Sequence, residues 1–487
     1  MPALNKLENK YSSLSKPVKA SFWFFICSFL QKGISTITTP IFTRLLNTAE
    51  YGQFNVFNSW MGIIAIFVTL RLSYGVYAQG LVKYDNDRNL FSSSMQGLNL
   101  LLCSIWLIIY CLFSKFCNNI FSLSTIQMLS MLILIWADAV FEFWSAEQRV
   151  TFTYKRLVIL TIIISVAKPV VGIFFVTHAK DKVTARILGL VIVEILGYSS
   201  LFWVQVKKGK KLFSKYYWKY ALAFNIPLIP HYLSQTVLNS ADLIMIRDMV
   251  GSSESGIYSL AYSLALLMTL VSTSLMNTVS PWIYQKIKYH RVQDIESVGY
   301  ITLCIIAFCN LILIAFAPEA VAIFAPTSYY DAIYVIPPVT MSVYFMYCYD
   351  LFARFEFYYE KTYYIMFASI FGAVLNIVLN YIFINIFGYV AAGYTTLICY
   401  ILYAFLHYLF MRKICKEEIN GVRVFQPRKL FIITTTFIVI GFTYLFTYQI
   451  PLLRYLLTAF IVLLYFLNRR KINAYIKQVL AVRRQTK

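Results

Sequence analysis

Charge is what this sequence of 487 residues has least of: only 13% is Asp, Glu, Lys or Arg, roughly half the share of a soluble protein. Acids are scarcer still, 21 against 43 basic residues. So few charges cannot clothe a water-exposed globule of this length, which excludes a soluble protein. Histidine (4) and cysteine (9) are also few. The cysteines fall within apolar runs or at their edges with no metal-ligand spacing, and only Cys117 is placed to face outward. That argues against a zinc module or a disulfide framework and leaves the thiols as small packing groups. No glycine loop for phosphates, nucleophile constellation or metal motif stands out.

Apolar residues make up 60% of the chain and aromatics 18%. They gather into runs near 21–43, 56–80, 93–114, 119–141, 157–177, 185–206, 220–243, 257–282, 298–317, 333–352, 363–385, 389–411, 430–448 and 452–468. Each can cross about 30 Å of hydrocarbon. The pattern predicts an all-α polytopic membrane protein with about 14 transmembrane helices. The second, seventh, eighth and tenth runs are the most polar. With the N-terminus inside, roughly three quarters of the Lys and Arg fall on the cytoplasmic side, as the positive-inside rule requires. Both termini are then cytoplasmic. The net charge of +22 therefore sets topology, and clusters such as Lys207-Lys208-Gly209-Lys210-Lys211 suit anionic membrane lipids rather than nucleic acid. The first run has no small-residue cleavage site after it and reads as a retained helix. All external loops are short, so no soluble domain is inserted.

The ends of the first and seventh runs repeat. Arg44…Glu50-Tyr51-Gly52 is matched by Arg247…Glu254-Ser255-Gly256, each an arginine at the helix exit followed by Glu-x-Gly. The glycine suits a turn with unusual backbone angles, and the glutamate suits a helix start. An offset of six spans preserves orientation, so the repeat predicts two parallel six-helix lobes. The division reads as 1–206 (helices 1–6), 207–411 (helices 7–12), and 412–487 (linker, two extra C-terminal helices and a basic tail).

Several stretches resemble the polysaccharide flippases, the Wzx-type transporters of O-antigen and capsule repeat units. They are PLIPHYLSQTVLNSADLIMI, GIYSLAYSLALL, SPWIYQ at 280–285, EQRVTFTYKRLVIL at 147–160 and the Arg44…Gly52 turn. Gly372-Ala373-Val374-Leu375-Asn376 through Asn380, with Phe387-Gly388-Tyr389-Val390-Ala391-Ala392-Gly393, resembles a signature of the wider multidrug/oligosaccharidyl-lipid/polysaccharide exporter superfamily. The likeness covers about residues 15–415. It implies two lobes in a V-shape, alternating access and a central cavity. The implied substrate is an undecaprenyl-pyrophosphate-linked glycan, moved to the outer leaflet of a bacterial inner membrane as a step of lipopolysaccharide, capsule or exopolysaccharide assembly. A polymerase and its chain-length machinery are the implied protein partners.

Such a transporter needs cations inside the membrane facing a wet cavity. Lys32, Arg71 and Lys168 lie within spans and are the candidates for contact with pyrophosphate or acidic sugars. The competing role is pairing with carboxylates, Lys32 or Lys168 with Glu194. Glu194, Asp242, Asp350, Asp138 and Glu142 are candidates for gating or for a coupling ion, H⁺ or Na⁺; no other cofactor is implied. Asp138 and Glu142 share one helical face. Pro227 and Pro230 remove two backbone donors and should kink or break the seventh span. His231, Gln235 and Asn239 recur at helical spacing behind that break and mark an interior-facing stripe. Asn376 and Asn380 are spaced for hydrogen bonds between helices. The alternatives are a drug or metabolite antiporter of the same superfamily and a membrane polysaccharide polymerase or ligase. The first would line its cavity with acids, and the second needs an extended external loop; an enzyme is not expected.

Overall fold

The computed structural model of the protein describes residues 16–467, and the basic N-terminal stretch and C-terminal tail lie outside them. Among the described residues the secondary structure is helical, with no strand. The chain divides into two compact units, one running to Leu233 and one beginning at Ser234. The first holds α1 (Lys16–Leu45), α2 (Thr48–Thr69), α3 (Val76–Lys83), α4 (Arg88–Leu112), α5 (Ser114–Phe121), α6 (Thr125–Val150), α7 (Tyr154–His178), α8 (Lys182–Gly209) and α9 (Lys215–Asn225). A 3₁₀ turn, Ile226–Leu228, leads into α10 (Ile229–Met249). The second unit continues with α11 (Ser252–Ala265), α12 (Met268–Lys288), α13 (Asp294–Ala315), α14 (Ala317–Phe324) and a 3₁₀ segment, Thr327–Tyr334. It ends with α15 (Ile336–Tyr358), α16 (Thr362–Phe387), α17 (Ala391–Glu418), α18 (Pro427–Thr447) and α19 (Pro451–Leu467).

Nine stretches among the described residues are long and apolar enough to cross a membrane, taking α11 and α12 as one. A tenth is α15 with the 3₁₀ segment before it, bent by 49°. The other four expected spans are helical as well. Of these, α1, α2 and the α9–α10 pair are diluted by hydroxyl, amide and charged side chains, and α19 has 17 residues. A polar helix enters a bilayer only with its polar face against protein or water, so the least apolar spans are the ones to inspect for function.

Three expected spans are interrupted. The second stops at Thr69, turns through Leu70 and Arg71, both at φ 50°, and resumes at Val76. Arg71 therefore stands on a turn and not within a continuous helix. The eighth is broken at Leu266–Leu267. The seventh breaks at the 3₁₀ turn that holds Pro227, with Pro230 in the first turn of α10, where its missing N–H costs no helical bond. The expected turn role of the repeated glycines is corrected: Gly52 and Gly256 are buried inside α2 and α11. Helix entry is set instead by a capping box at Asn47 and Glu50, two reciprocal 2.8 Å bonds. The second copy replaces it with Gly251 at the cap position.

The division at Leu233 falls beyond the 206/207 boundary drawn from hydropathy because the first half of the seventh span packs on the N-terminal unit. Tyr217 and Ala221 of α9 join Tyr77, Phe91 and Phe143 in one apolar cluster. The indole of Trp218 donates to Ser94 O at 2.9 Å, and Ser93 Oγ donates to Lys211 O at 2.7 Å. Gly97 makes this docking possible, since a Cβ there would lie 1.9 Å from Leu212 O. Gly97→Ala should therefore destabilise the protein by about 1–3 kcal/mol, read as a lower melting temperature in detergent. An unchanged value would show that the 210–214 segment yields freely.

Candidate functional site

In the N-terminal unit, a cavity of about 260 Å³ opens among α1, α7 and α8. Gln31, Ser35 and Thr38 give it one polar wall, and Lys168 and Arg186 bring two cations to it. Pro169 follows Lys168 inside a continuous α7. The Lys168 ammonium pairs with Glu194 Oε1 of α8 at 2.5 Å, the lysine side chain 29% exposed and the glutamate 4%. Asp138 of α6 adds a second carboxylate within Coulombic reach of Lys168. The guanidinium of Arg186 stacks between Phe42 and Phe54, 3.7 and 3.6 Å from the ring centres. Such a sandwich fixes the cation against two aromatic faces.

Of the two roles weighed for Lys168, the pairing with Glu194 is present, and the lysine also lines the cavity. Lys32 is not among the cavity's lining residues, and among the described residues it forms no salt bridge. Lys32 is half-buried on the neighbouring face of α1. Arg186 stands one turn into α8; its phenylalanine partners come from two other helices and leave no mark in its own segment.

Arg71 is tied to the seventh span. The Nδ2 of Asn225, at the end of α9, donates to Leu70 O at 2.8 Å and to Arg71 O at 2.7 Å. One amide thus closes the carbonyls freed where the second span breaks. Ser73 of the same turn donates to Glu142, so Glu142 anchors the turn while Asp138 faces Lys168. Asn225→Leu should cost about 2–3 kcal/mol by stranding both carbonyls, measurable as a lower melting temperature and as faster cleavage of the 70–75 turn by protease. Retained resistance would show that the turn stands without Asn225.

The C-terminal unit holds a different kind of site. Asp242 is buried, 2% exposed, and accepts bonds from Tyr258 OH (2.7 Å), Thr396 Oγ1 (2.7 Å) and Asn380 Nδ2 (2.6 Å). Asn380 Nδ2 also reaches Asn376 Oδ1 at 3.2 Å, and Thr395 donates to Asn380 Oδ1. Among the described residues no cation pairs with Asp242; its donors are all neutral. Asp350 pairs with Arg354 one turn on, beside a cavity of about 310 Å³ that also includes Ser272, Asn277 and Ser280. Gln235 donates to Ser369 at 3.0 Å and to Tyr403 at 3.2 Å, and Tyr400 donates to Asn239 at 3.2 Å. These two stripe residues therefore join α10 to α16 and α17. His231 is half-buried, its ring 5.9 Å from that of Tyr232.

Residues 18–287 match the family of polysaccharide biosynthesis proteins, and residues 227–382 match the MatE family. The "Lsg locus putative protein 1" of Haemophilus influenzae is 21% identical over 389 residues, covering 74% of this chain and 90% of that one. An "Uncharacterized membrane protein" of the same organism is 20% identical over 380 residues, covering 74% and 88%. Among solved structures, the lipid II flippase MurJ in an inward closed conformation shares 16% identity with a TM-score of 0.70, over 92% of this chain and 99% of that one. An inward-facing multidrug resistance MATE transporter of the MOP superfamily shares 15% identity with a TM-score of 0.62, over 80% and 96%. A matched family segment longer than half the chain, on a fold common to flippases and multidrug transporters, places the protein: it belongs to the polysaccharide biosynthesis protein family and has the fold of MOP-superfamily membrane transporters.

Proposed function

We propose that this protein flips an undecaprenyl-pyrophosphate-linked oligosaccharide, an O-antigen, capsule or exopolysaccharide repeat unit, from the cytoplasmic to the outer leaflet of a bacterial inner membrane. The observation that carries the reading is the N-terminal cavity, where Lys168 and Arg186 line the same space as Gln31, Ser35 and Thr38. Hydroxyls and amides suit a glycan, and two fixed cations suit a phosphorylated or acidic head. Glu194 holds Lys168 in place and neutralises it until a stronger anion enters. Arg71 and Lys32 are the further cations within spans that would meet the substrate's charge.

Transport by alternating access needs a driving ion, and Asp242 is the residue suited to it. Its oxygen-rich surroundings, with Asn376, Asn380 and Thr396, fit a hard monovalent cation or a proton. When bound, that ion supplies the positive charge that the neutral donors do not. The match of residues 227–382 to the MatE family favours an antiporter as the second reading.

The test is the leaflet in which lipid-linked repeat units collect after the protein is depleted. Accumulation in the cytoplasmic leaflet is expected. Accumulation in the outer leaflet, or unchanged glycan with altered drug efflux, would sink the flippase reading. Lys32→Glu should lower glycan export about tenfold, the equivalent of roughly 1.4 kcal/mol. Unchanged export would remove Lys32 from the substrate's path.

A further inference from the structure

The C-terminal unit buries a second titratable pair that neither the cavity nor Asp242 uses. Glu356, two residues from the end of α15, accepts or shares a 2.7 Å hydrogen bond with His407 Nδ1 of α17. The side chains are 0% and 1% exposed. Each has one polar atom with no partner, Glu356 Oε2 and His407 Nε2. The imidazole is walled by aromatic rings, with Tyr403 at 4.6 Å edge-on and Tyr349 at 5.5 Å. A carboxylate and an imidazole so enclosed have little reason to exist as packing: two apolar side chains would fill the space without orphaned atoms.

Charge counting shows what the pair can do. With neutral His407 donating from Nδ1 to an ionised Glu356, the pair carries one uncompensated negative charge in a dry site, which is costly. One added proton makes it a neutral imidazolium–carboxylate couple. Nε2, the nitrogen without a partner, is the atom that takes this proton, and Nδ1–H goes on donating to Glu356. The two states differ by one proton and by a full buried charge.

Of the charged groups on the surrounding helices, Arg412 of α17, five residues beyond His407, makes no salt bridge among the described residues and has one guanidinium nitrogen without a partner; the others are engaged. Asp350 and Arg354 pair with each other on α15. Lys413 of α17 lies over the Tyr364 ring of α16 at 5.4 Å. At the head of α13, Asp294 is held by Lys286 of α12 and by Arg291, and Glu296 by Lys429 of α18. From α11, Tyr258 is bound to Asp242. What α10 and α16 turn toward the aromatic wall of the dyad is neutral: Gln235 and Ser369, both bonded to Tyr403.

Along α17 the polar residues form one stripe. Thr396 meets Asp242, Tyr400 meets Asn239, Tyr403 meets Gln235 and Ser369, and His407 meets Glu356. Spacings of four, three and four residues keep these on one helix face. The stripe runs for about 16 Å at 1.5 Å per residue, with a buried carboxylate at each end. No strip of lipid-facing or simple packing helix needs that arrangement.

We propose that Glu356 and His407 form a proton-binding site of the C-terminal unit, separate from Asp242 and joined to it by the polar face of α17. The dyad takes one proton at His407 Nε2 in one part of the cycle and releases it in another. The part that links this proton to glycan movement rests on the flippase reading; the binding of the proton does not.

The chain has four histidines, so the full-length protein labelled with ¹⁵N-histidine gives four imidazoles to follow. His407→Gln assigns the one in question. Its Nε2 signal should pass between the neutral and the protonated form as pH is varied. Glu356→Gln should change that response, because the carboxylate that faces the imidazole is gone. Glu356→Asp, which keeps the charge, should change it less and serves if the glutamine variant does not fold. A His407 signal that stays neutral and fixed across the range would overturn the proposal and leave the dyad a structural hydrogen bond. A second arm follows glycan export against pH in cells: Glu356→Gln should flatten the wild-type dependence. If His407 titrates but export shows no dependence on either residue, the proton site stands and its link to transport falls.

Discussion

Glycan display at the cell surface should fall on the order of 100-fold or more in Lys168→Glu, the largest loss expected of any single change in the N-terminal unit. Breaking a buried ion pair costs about 3–5 kcal/mol, and this substitution does more than break one. It sets a third carboxylate beside Glu194, whose second oxygen already lacks a partner, and within Coulombic reach of Asp138. Part of the loss will therefore be stability and not transport, and Lys168→Met separates the two by removing the charge without adding repulsion. The decisive variant is the exchange Lys168→Glu with Glu194→Lys. It restores the pair, so melting temperature and yield should recover. Transport should not, because the cation now projects from α8 and no longer from the cavity wall beside Ser35 and Thr38. Full recovery of export by the exchange would show that Lys168 is a strut for Glu194 and never meets substrate.

The overall architecture was legible because membrane insertion writes itself into composition: a run of apolar residues has one use at this length. Among the described residues, each of the fourteen runs falls mainly on helix. The interruptions were legible only where the chemistry is local. Pro227 and Pro230 announce the break in the seventh span, but nothing in Leu70-Arg71 announces the break in the second, which is closed by Asn225 from 154 residues away. For the same reason Gly52 was misplaced. A glycine after a glutamate suits a turn, yet the Asn47–Glu50 box starts the helix earlier and leaves the glycine for close packing inside it. Site residues follow the same division. Lys168 and Glu194 are visible as charges where lipid tolerates none. Arg186, at the edge of its span, looks like an ordinary topological cation until Phe42 and Phe54 close on it. His407 and Glu356 are each unremarkable near helix ends and acquire meaning only by their 2.7 Å contact.

In the C-terminal unit, Asp242→Asn should reduce export by about 10–100-fold, the range of a coupling energy of 1–3 kcal/mol, while leaving the fold intact. The shape is unchanged, and the argument turns on donors. Asp242 offers one oxygen to Tyr258 and Thr396 and the other to Asn380. Asparagine keeps the first oxygen but puts an amide where Asn380 Nδ2 now donates. Asn380 cannot simply turn over, because its own oxygen accepts from Thr395. The variant thus trades a buried negative charge for one strained contact, a modest structural cost beside the loss of the only charge in the network. If Asp242 holds a coupling ion, the wild-type protein should gain about 2.7 kcal/mol of stability at an ion concentration 100 times the dissociation constant. Sodium titration at fixed pH and pH titration without sodium identify which ion does so. Asp242→Asn should show neither response. Export at the wild-type rate in this variant would remove Asp242 from the coupling mechanism, and a stabilising response that persists in it would place the ion elsewhere, with the Glu356–His407 dyad the next residues to substitute.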